Sequence, residues 1–299
     1  MSLLFSLIVS LFLTTPAFAS GPSFVTYQPS YMYSSWQETG DAIPIPEGIP
    51  NQAEIVPTAI NLATKNLPEL TYAISFKDEE VTPESIESMG PNQIIIWQGH
   101  GNWDEATQTI SVETASPYAN YAEDPTIITA DGYYASLTPA YFDAHLGNLA
   151  GSLVYLGSCE SGHAGNDALA QVFLDHGAST VIVNTQTIQM MYGNIMQYTT
   201  IKLMSEINPT TNNYYTISEA LEKAKSIYGK DDHEKGFYPA ALGAEPIIFG
   251  DTDYRLAIIT TPAEPIDNPA TNDNLFIYII YIVISAMGLT LAIKKSPRF

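Results

Sequence analysis

"IIIWQGHG", residues 94–101, sets four large apolar side chains in a row and then changes character, to Gln98 and a histidine held between two glycines. A strand with one face in water alternates apolar and polar residues. An unbroken Ile-rich run suits a strand buried on both faces, which means a parallel sheet covered by helices. The same design recurs in "LVYLGSC", residues 153–159, and in "TVIVNTQ", residues 180–186. Apolar runs in "LTYAISF", residues 70–76, and "PIIF", residues 246–249, complete five candidate strands.

Helical patterns fall between these runs. Thr138-Pro139 offers an N-cap followed by proline at the first helical position, opening a helix through His145 that ends near Gly147. Leu169, Val172, Phe173 and His176 mark one face of a second helix, stopped at Gly177. "MMYGNIMQYTTIKLMSEI", residues 190–207, reads as a third. Thr216 and Glu219 form a capping box, with Ile217, Leu221, Ala224 and Tyr228 lining the face behind it. Strands alternating with helices predict a doubly wound α/β layer structure.

The ends carry a different message. Residues 1–19 have an apolar stretch, Pro16 and the small-x-small pattern Ala17-Phe18-Ala19, and read as a signal peptide, although no Lys or Arg precedes the apolar part. Residues 20–50 are rich in Tyr, Ser and Pro without a sustained period, and are expected to be an extended segment, wrapped on the main domain or serving as an activation peptide. The main domain is assigned to residues 51–261, followed by a proline-rich linker at 262–274. Residues 275–293 contain no charge and match the length of a bilayer-spanning helix. Lys294, Lys295 and Arg298 follow at once in the tail, residues 294–299. Positive residues stay in the cytoplasm, so the expected arrangement is a single-pass protein of the cell membrane, with the main domain on the extracytoplasmic side.

The 299-residue chain has a net charge of −21. Such a surface repels phosphate backbones, and nucleic acid is excluded as a partner. The acidity is equally compatible with solubility, a saline habitat or basic substrates. Cys159 is the only cysteine, so no intrachain disulfide forms, and the thiol stands in a polar loop of Gly157, Ser158, Glu160, Ser161 and Gly162.

In open parallel sheets reactive groups collect beyond the carboxyl ends of the strands. His100 lies three residues past Trp97, and Cys159 three residues past Leu156. Equal overhangs predict that both reach one rim. Asn184, Thr185 and Gln186 follow the third strand toward the same rim and are candidates for a pocket wall, with Gly157 and Ser158. A thiol near its ordinary pKa of about 8.5 is mostly protonated at neutral pH. A histidine within reach takes that proton and later returns one to a leaving amine. The N–H groups of Gly101 and Cys159 are candidates for the oxyanion hole of a tetrahedral intermediate.

At these residues the sequence resembles the caspase-like clan of cysteine peptidases, where one apolar strand leads into His-Gly and a later one into the nucleophilic cysteine. "WQGHGNWDEA" resembles the histidine loop of the gingipain family. "FLDHGASTVIVNTQTIQ" is similar to the segment after the nucleophile in gingipains and CHAT domains, and "CESG" is as close to legumains. "EPIIFGDTDYRL" resembles the signature closing a gingipain catalytic domain, with Thr252 in place of the usual proline. The resemblance spans residues 94–259 in scattered blocks. It implies a caspase-like three-layer sandwich with a mostly parallel sheet, His100 as general base and acid, Cys159 as nucleophile, and a protein or peptide substrate. The acidic residues that such families place upstream have no match here; Asp104 and Glu105 are candidates by proximity in sequence.

Competing readings stay open. His163 and Cys159 form a C-x-x-x-H pair that with His100 would suit a metal, but no H-E-x-x-H accompanies it, and no metal is assigned. The acidic pairs Asp231-Asp232 and Asp251-x-Asp253 leave structural calcium open; no other cofactor is implied. His145 and His176 sit at helix ends, and His233 in a charged loop. In function, a membrane-anchored cysteine endopeptidase stands against a non-catalytic surface binding domain and a legumain-like transpeptidase.

Overall fold

In the computed structural model, residues 22–32, 45–163, 165–232, 234 and 243–257 are described. In chain order the strands are β1 (Ser23–Gln28), β2 (Thr71–Lys77), β3 (Gln93–Trp97), β4 (Gly101–Asp104), β5 (Thr109–Pro117) and β6 (Ile127–Ile128). They continue with β7 (Tyr134–Leu137), β8 (Leu153–Leu156), β9 (Thr180–Asn184), β10 (Ile207–Asn208), β11 (Asn213–Tyr214) and β12 (Pro246–Gly250). The helices are α1 (Ile55–Asn66), α2 (Pro139–His145), α3 (Ala168–Asp175), α4 (Met190–Met204) and α5 (Ile217–Tyr228).

All five apolar runs form strands of one six-stranded sheet, in the order β12-β9-β8-β3-β1-β2. Only β12 runs antiparallel, against β9. Period-2 alternation sends successive residues to opposite faces, and each face has its own core. Ile95, Trp97, Val154, Leu156, Val181 and Val183 pack with Phe142 of α2 and Phe173 of α3. Ile94, Ile96, Leu153, Tyr155 and Ile182 pack with Ile60 of α1, Met204 of α4 and Ala220 of α5. A mostly parallel sheet between two helical layers fits the expected three-layer sandwich.

Two features depart from the expectation. The segment assigned to residues 20–50 contains an interior strand, because β1 pairs parallel with β2 on one side and β3 on the other. Tyr27 of β1 stacks on Phe76 at 5.1 Å and on Trp97 at 5.0 Å, tying the three strands together. Each such ring pair contributes about 0.5–1.5 kcal/mol beyond the area it buries. The strand escapes a reading by apolar period because Thr26 and Gln28 are buried polar residues, the Thr26 hydroxyl donating to Ser75 Oγ and the Gln28 amide N–H to the Ala53 carbonyl. Second, residues 101–137 build an antiparallel sheet, β4-β5-β7-β6, whose Ile110, Val112 and Leu137 join the core over one face of the main sheet.

The helix signals translate directly. Thr138 caps α2 through the Tyr141 N–H, and Thr216 and Glu219 form a reciprocal capping box on α5. Helix α4 packs between α1 and α5, and eleven of its fifteen residues are buried. Among the described residues no helix is long and apolar enough to cross a membrane. The signal peptide expected at 1–19, the linker at 262–274, the span at 275–293 and the tail at 294–299 lie outside the described residues.

Candidate active site

Strands β3 and β8 are parallel neighbours, with Trp97 opposite Leu156. The Gly157 N–H extends the pairing by donating to the Trp97 carbonyl at 2.7 Å. The equal overhangs therefore leave the sheet side by side, and His100 and Cys159 line the same cavity, of about 130 Å³. Gln28 at the end of β1, Ser30 and Tyr31 just beyond it, Gln98, Gly157, Ile188 and Asn194 are also in its wall. A hydrogen-bonded chain runs through its wall, Gln28 Nε2 to Gln98 Oε1 and Gln98 Nε2 to Asn194 Oδ1, each at 2.8 Å.

The Cys159 thiol donates to the Ile188 carbonyl at 3.6 Å, and the residue packs against an apolar cluster containing Ile188, Met191 and Ile195. Burial pushes the thiol's pKa up, and the Glu160 carboxylate pushes the same way, whereas the backbone N–H groups of Gly101 and Cys159 oppose the rise. Burial thus favours the neutral thiol, while the backbone N–H groups of Gly101 and Cys159 favour the thiolate. His100 is exposed, and among the described residues no side chain hydrogen-bonds its ring.

A second cavity, of about 690 Å³, also has His100 in its wall. Asp78, Glu79, Glu113 and Asp131 give its wall an acidic character, and its size is that of a ligand site. Glu113 donates its backbone N–H to the His100 carbonyl at 3.0 Å. Burial, reinforced by the Asp131 charge, pushes the Glu113 carboxyl up to about 7. No local motif marks Glu113; its environment comes from the antiparallel sheet.

The expected pocket wall is employed differently. Gly157 lines the smaller cavity, but Asn184, Thr185, Gln186 and Ser158 line neither of the two. Buried Asn184 donates its amide to the carbonyls of Leu156 and Ser158, both at 3.1 Å, and so supports the cysteine loop from below. Thr185 exchanges hydrogen bonds with the backbone of Glu245, and the Gln186 carbonyl accepts the Glu160 N–H. Ser158 is fully buried. Asp104 and Glu105 line neither cavity, and Asp104 accepts the N–H of Ala106 in an exposed turn.

The histidines and acidic pairs also resolve. His163 stacks flat on Trp103, with ring centroids 4.3 Å apart. His176 caps α3 and bonds Asp143, while His145 stacks on Tyr141; His233 lies outside the described residues. Asp232 accepts the N–H groups of Gln189 and Ala244, and Asp251 that of Asp253. Among the described residues no group of three or more His, Cys, Asp or Glu is arranged to hold a metal ion.

No protein-family model matches the sequence, and no curated protein matches it either. Among solved structures the chain is similar to gingipain R (RgpB), described as an Arg-specific cysteine proteinase: identity is 14%, with 79% of this chain and 47% of that chain covered and a TM-score of 0.48. A complex of the pro- and mature domains of RgpB from Porphyromonas gingivalis is similar at 15% identity, with 78% and 48% covered and a TM-score of 0.46. The chain spans about half the length of the proteins it matches.

Proposed function

We propose that this chain is a cysteine endopeptidase acting through a His100/Cys159 dyad. One observation carries the reading: two residues 59 positions apart line one cavity at neighbouring strand ends, with Gly101 against the cysteine loop. His100 takes the thiol proton as the sulfur attacks the substrate carbonyl carbon. The N–H groups of Gly101 and Cys159 receive the negative oxygen of the tetrahedral intermediate. The C–N bond then breaks, His100 protonates the departing amine, and water, deprotonated by the same imidazole, hydrolyses the thioester. A raised resting pKa is compatible with this sequence, since the thiolate is needed only once a carbonyl is in place and the imidazole has closed on the sulfur.

The sequence supports placing this activity at the outer face of a membrane, through residues 275–293 and the basic tail. The test is labelling with a thiol-directed peptidyl probe and hydrolysis of a peptide library by the wild-type chain, Cys159→Ala and His100→Ala. Wild-type labelling that vanishes in Cys159→Ala, with turnover lost in both variants, supports the dyad. Turnover unchanged in Cys159→Ala ends the proposal. A complete absence of labelling favours a binding domain that keeps the fold without the chemistry.

A further inference from the structure

The residue after the cysteine is the least expected part of the site. Glu160 has a positive φ of 53°, a left-handed conformation that residues with a β-carbon rarely adopt. A strained residue persists where its surroundings fix it. Its N–H donates to the Gln186 carbonyl at 2.9 Å, and its carbonyl accepts the His163 N–H at 3.0 Å. Its carboxylate accepts the Trp103 N–H at 2.9 Å through one oxygen and the Thr187 hydroxyl at 3.3 Å through the other. One side chain therefore joins the strand that follows His100, the loop that carries Cys159 and the loop after β9. The Trp103 ring completes the closure by stacking on His163 of the cysteine loop, with the planes 8° apart.

We propose that Glu160 is the positioning residue of the dyad, its carboxylate holding β4, which begins one residue after His100, in register on the cysteine loop. The proposal rests on the peptidase reading for its catalytic consequence but not for the contact itself. No other side chain accepts from the Trp103 N–H among the described residues. A charge-assisted bond to a backbone N–H is about twice as strong as a neutral one, which suits a carboxylate at this joint. Misplacement of a catalytic group by about 1 Å costs on the order of 100-fold in rate. The His100 ring, exposed and without a side-chain hydrogen-bond partner among the described residues, depends on its backbone for placement.

The experiment compares the wild-type chain, Glu160→Gln and Glu160→Ala by two readouts. The first is hydrogen–deuterium exchange of residues 101–104, which does not depend on activity. Glutamine keeps an acceptor oxygen for Trp103 and should retain protection, whereas alanine should raise exchange at this strand about 10-fold or more. The second is peptide hydrolysis, where alanine should lower kcat roughly 100-fold with KM changed less than about threefold, and glutamine should restore most of kcat. Wild-type exchange in Glu160→Ala overturns the proposal, as does equal loss of kcat in both variants, which would assign the effect to charge. If alanine prevents folding, the glutamine variant decides: protection and kcat near wild type support the proposal, and loss of either refutes it. If even the wild-type chain hydrolyses nothing while alanine still frees residues 101–104, the peptidase reading fails and the positioning contact stands.

Discussion

Gly101 and the carbonyl of Cys159 approach so closely that a β-carbon built on the glycine would lie 2.1 Å from the cysteine oxygen. Ser158 Cβ would stand 2.9 Å from the same added atom. The histidine loop and the cysteine loop are therefore in backbone contact, and the contact exists because residue 101 has no side chain. The obstacle is a carbonyl of the main chain, which cannot rotate away as a flexible side chain would.

Gly101→Ala is expected to separate the loops. Overpacking of this kind costs about 1–3 kcal/mol, and a displacement near 1 Å at the dyad lowers kcat/KM roughly 100-fold. Denaturant titration and peptide hydrolysis measure the two effects. A variant with wild-type stability and turnover would show that the loops do not need this approach.

Asn184→Ala removes the amide that donates to Leu156 and Ser158. Two buried carbonyls lose a donor, and the expected loss of stability is about 1–3 kcal/mol. The loop carrying Cys159 loses its support from below, so its alkylation by iodoacetamide should accelerate. Unchanged stability and alkylation rate would contradict the supporting role.

Glu113 makes stability depend on pH. Its carboxyl titrates near 7 in the folded chain against an ordinary 4.5, because burial disfavours the charged form. The folded chain holds a proton that the unfolded chain has released, so the stability tied to this group is complete below about pH 4.5 and is lost as pH rises through about 7. Glu113→Gln should leave the melting temperature at pH 4 little changed relative to wild type and raise it at pH 8. Parallel melting curves for the two proteins across this range would rule the effect out.

Removal of residues 1–50 should prevent folding, because it deletes β1 from between β2 and β3 and strips Tyr27 from its stack with Phe76 and Trp97. Removal of residues 1–20 leaves every described element intact. Circular dichroism and cooperative thermal unfolding of the two truncations make the comparison. A folded, cooperative chain starting at residue 51 would refute the interior role of β1.

The sequence alone determined the apolar runs that became β2, β3, β8, β9 and β12, the caps of α2 and α5, and the equal overhangs that carry His100 and Cys159 to one rim. These are local properties: an unbroken apolar run, a capping side chain and a count of residues past a strand end act over a few positions. Only the tertiary structure decided that Ser23–Gln28 lies inside the sheet, since its buried Thr26 and Gln28 are tolerated because of partners far along the chain. The same holds for Asn184, drawn beneath the cysteine loop instead of into a pocket, and for Glu113, whose acidity is weakened by a sheet that no period announces. Burial and hydrogen-bond partnership are relations between distant residues, and they decide whether a polar side chain serves as a strut, a wall or a titrating group.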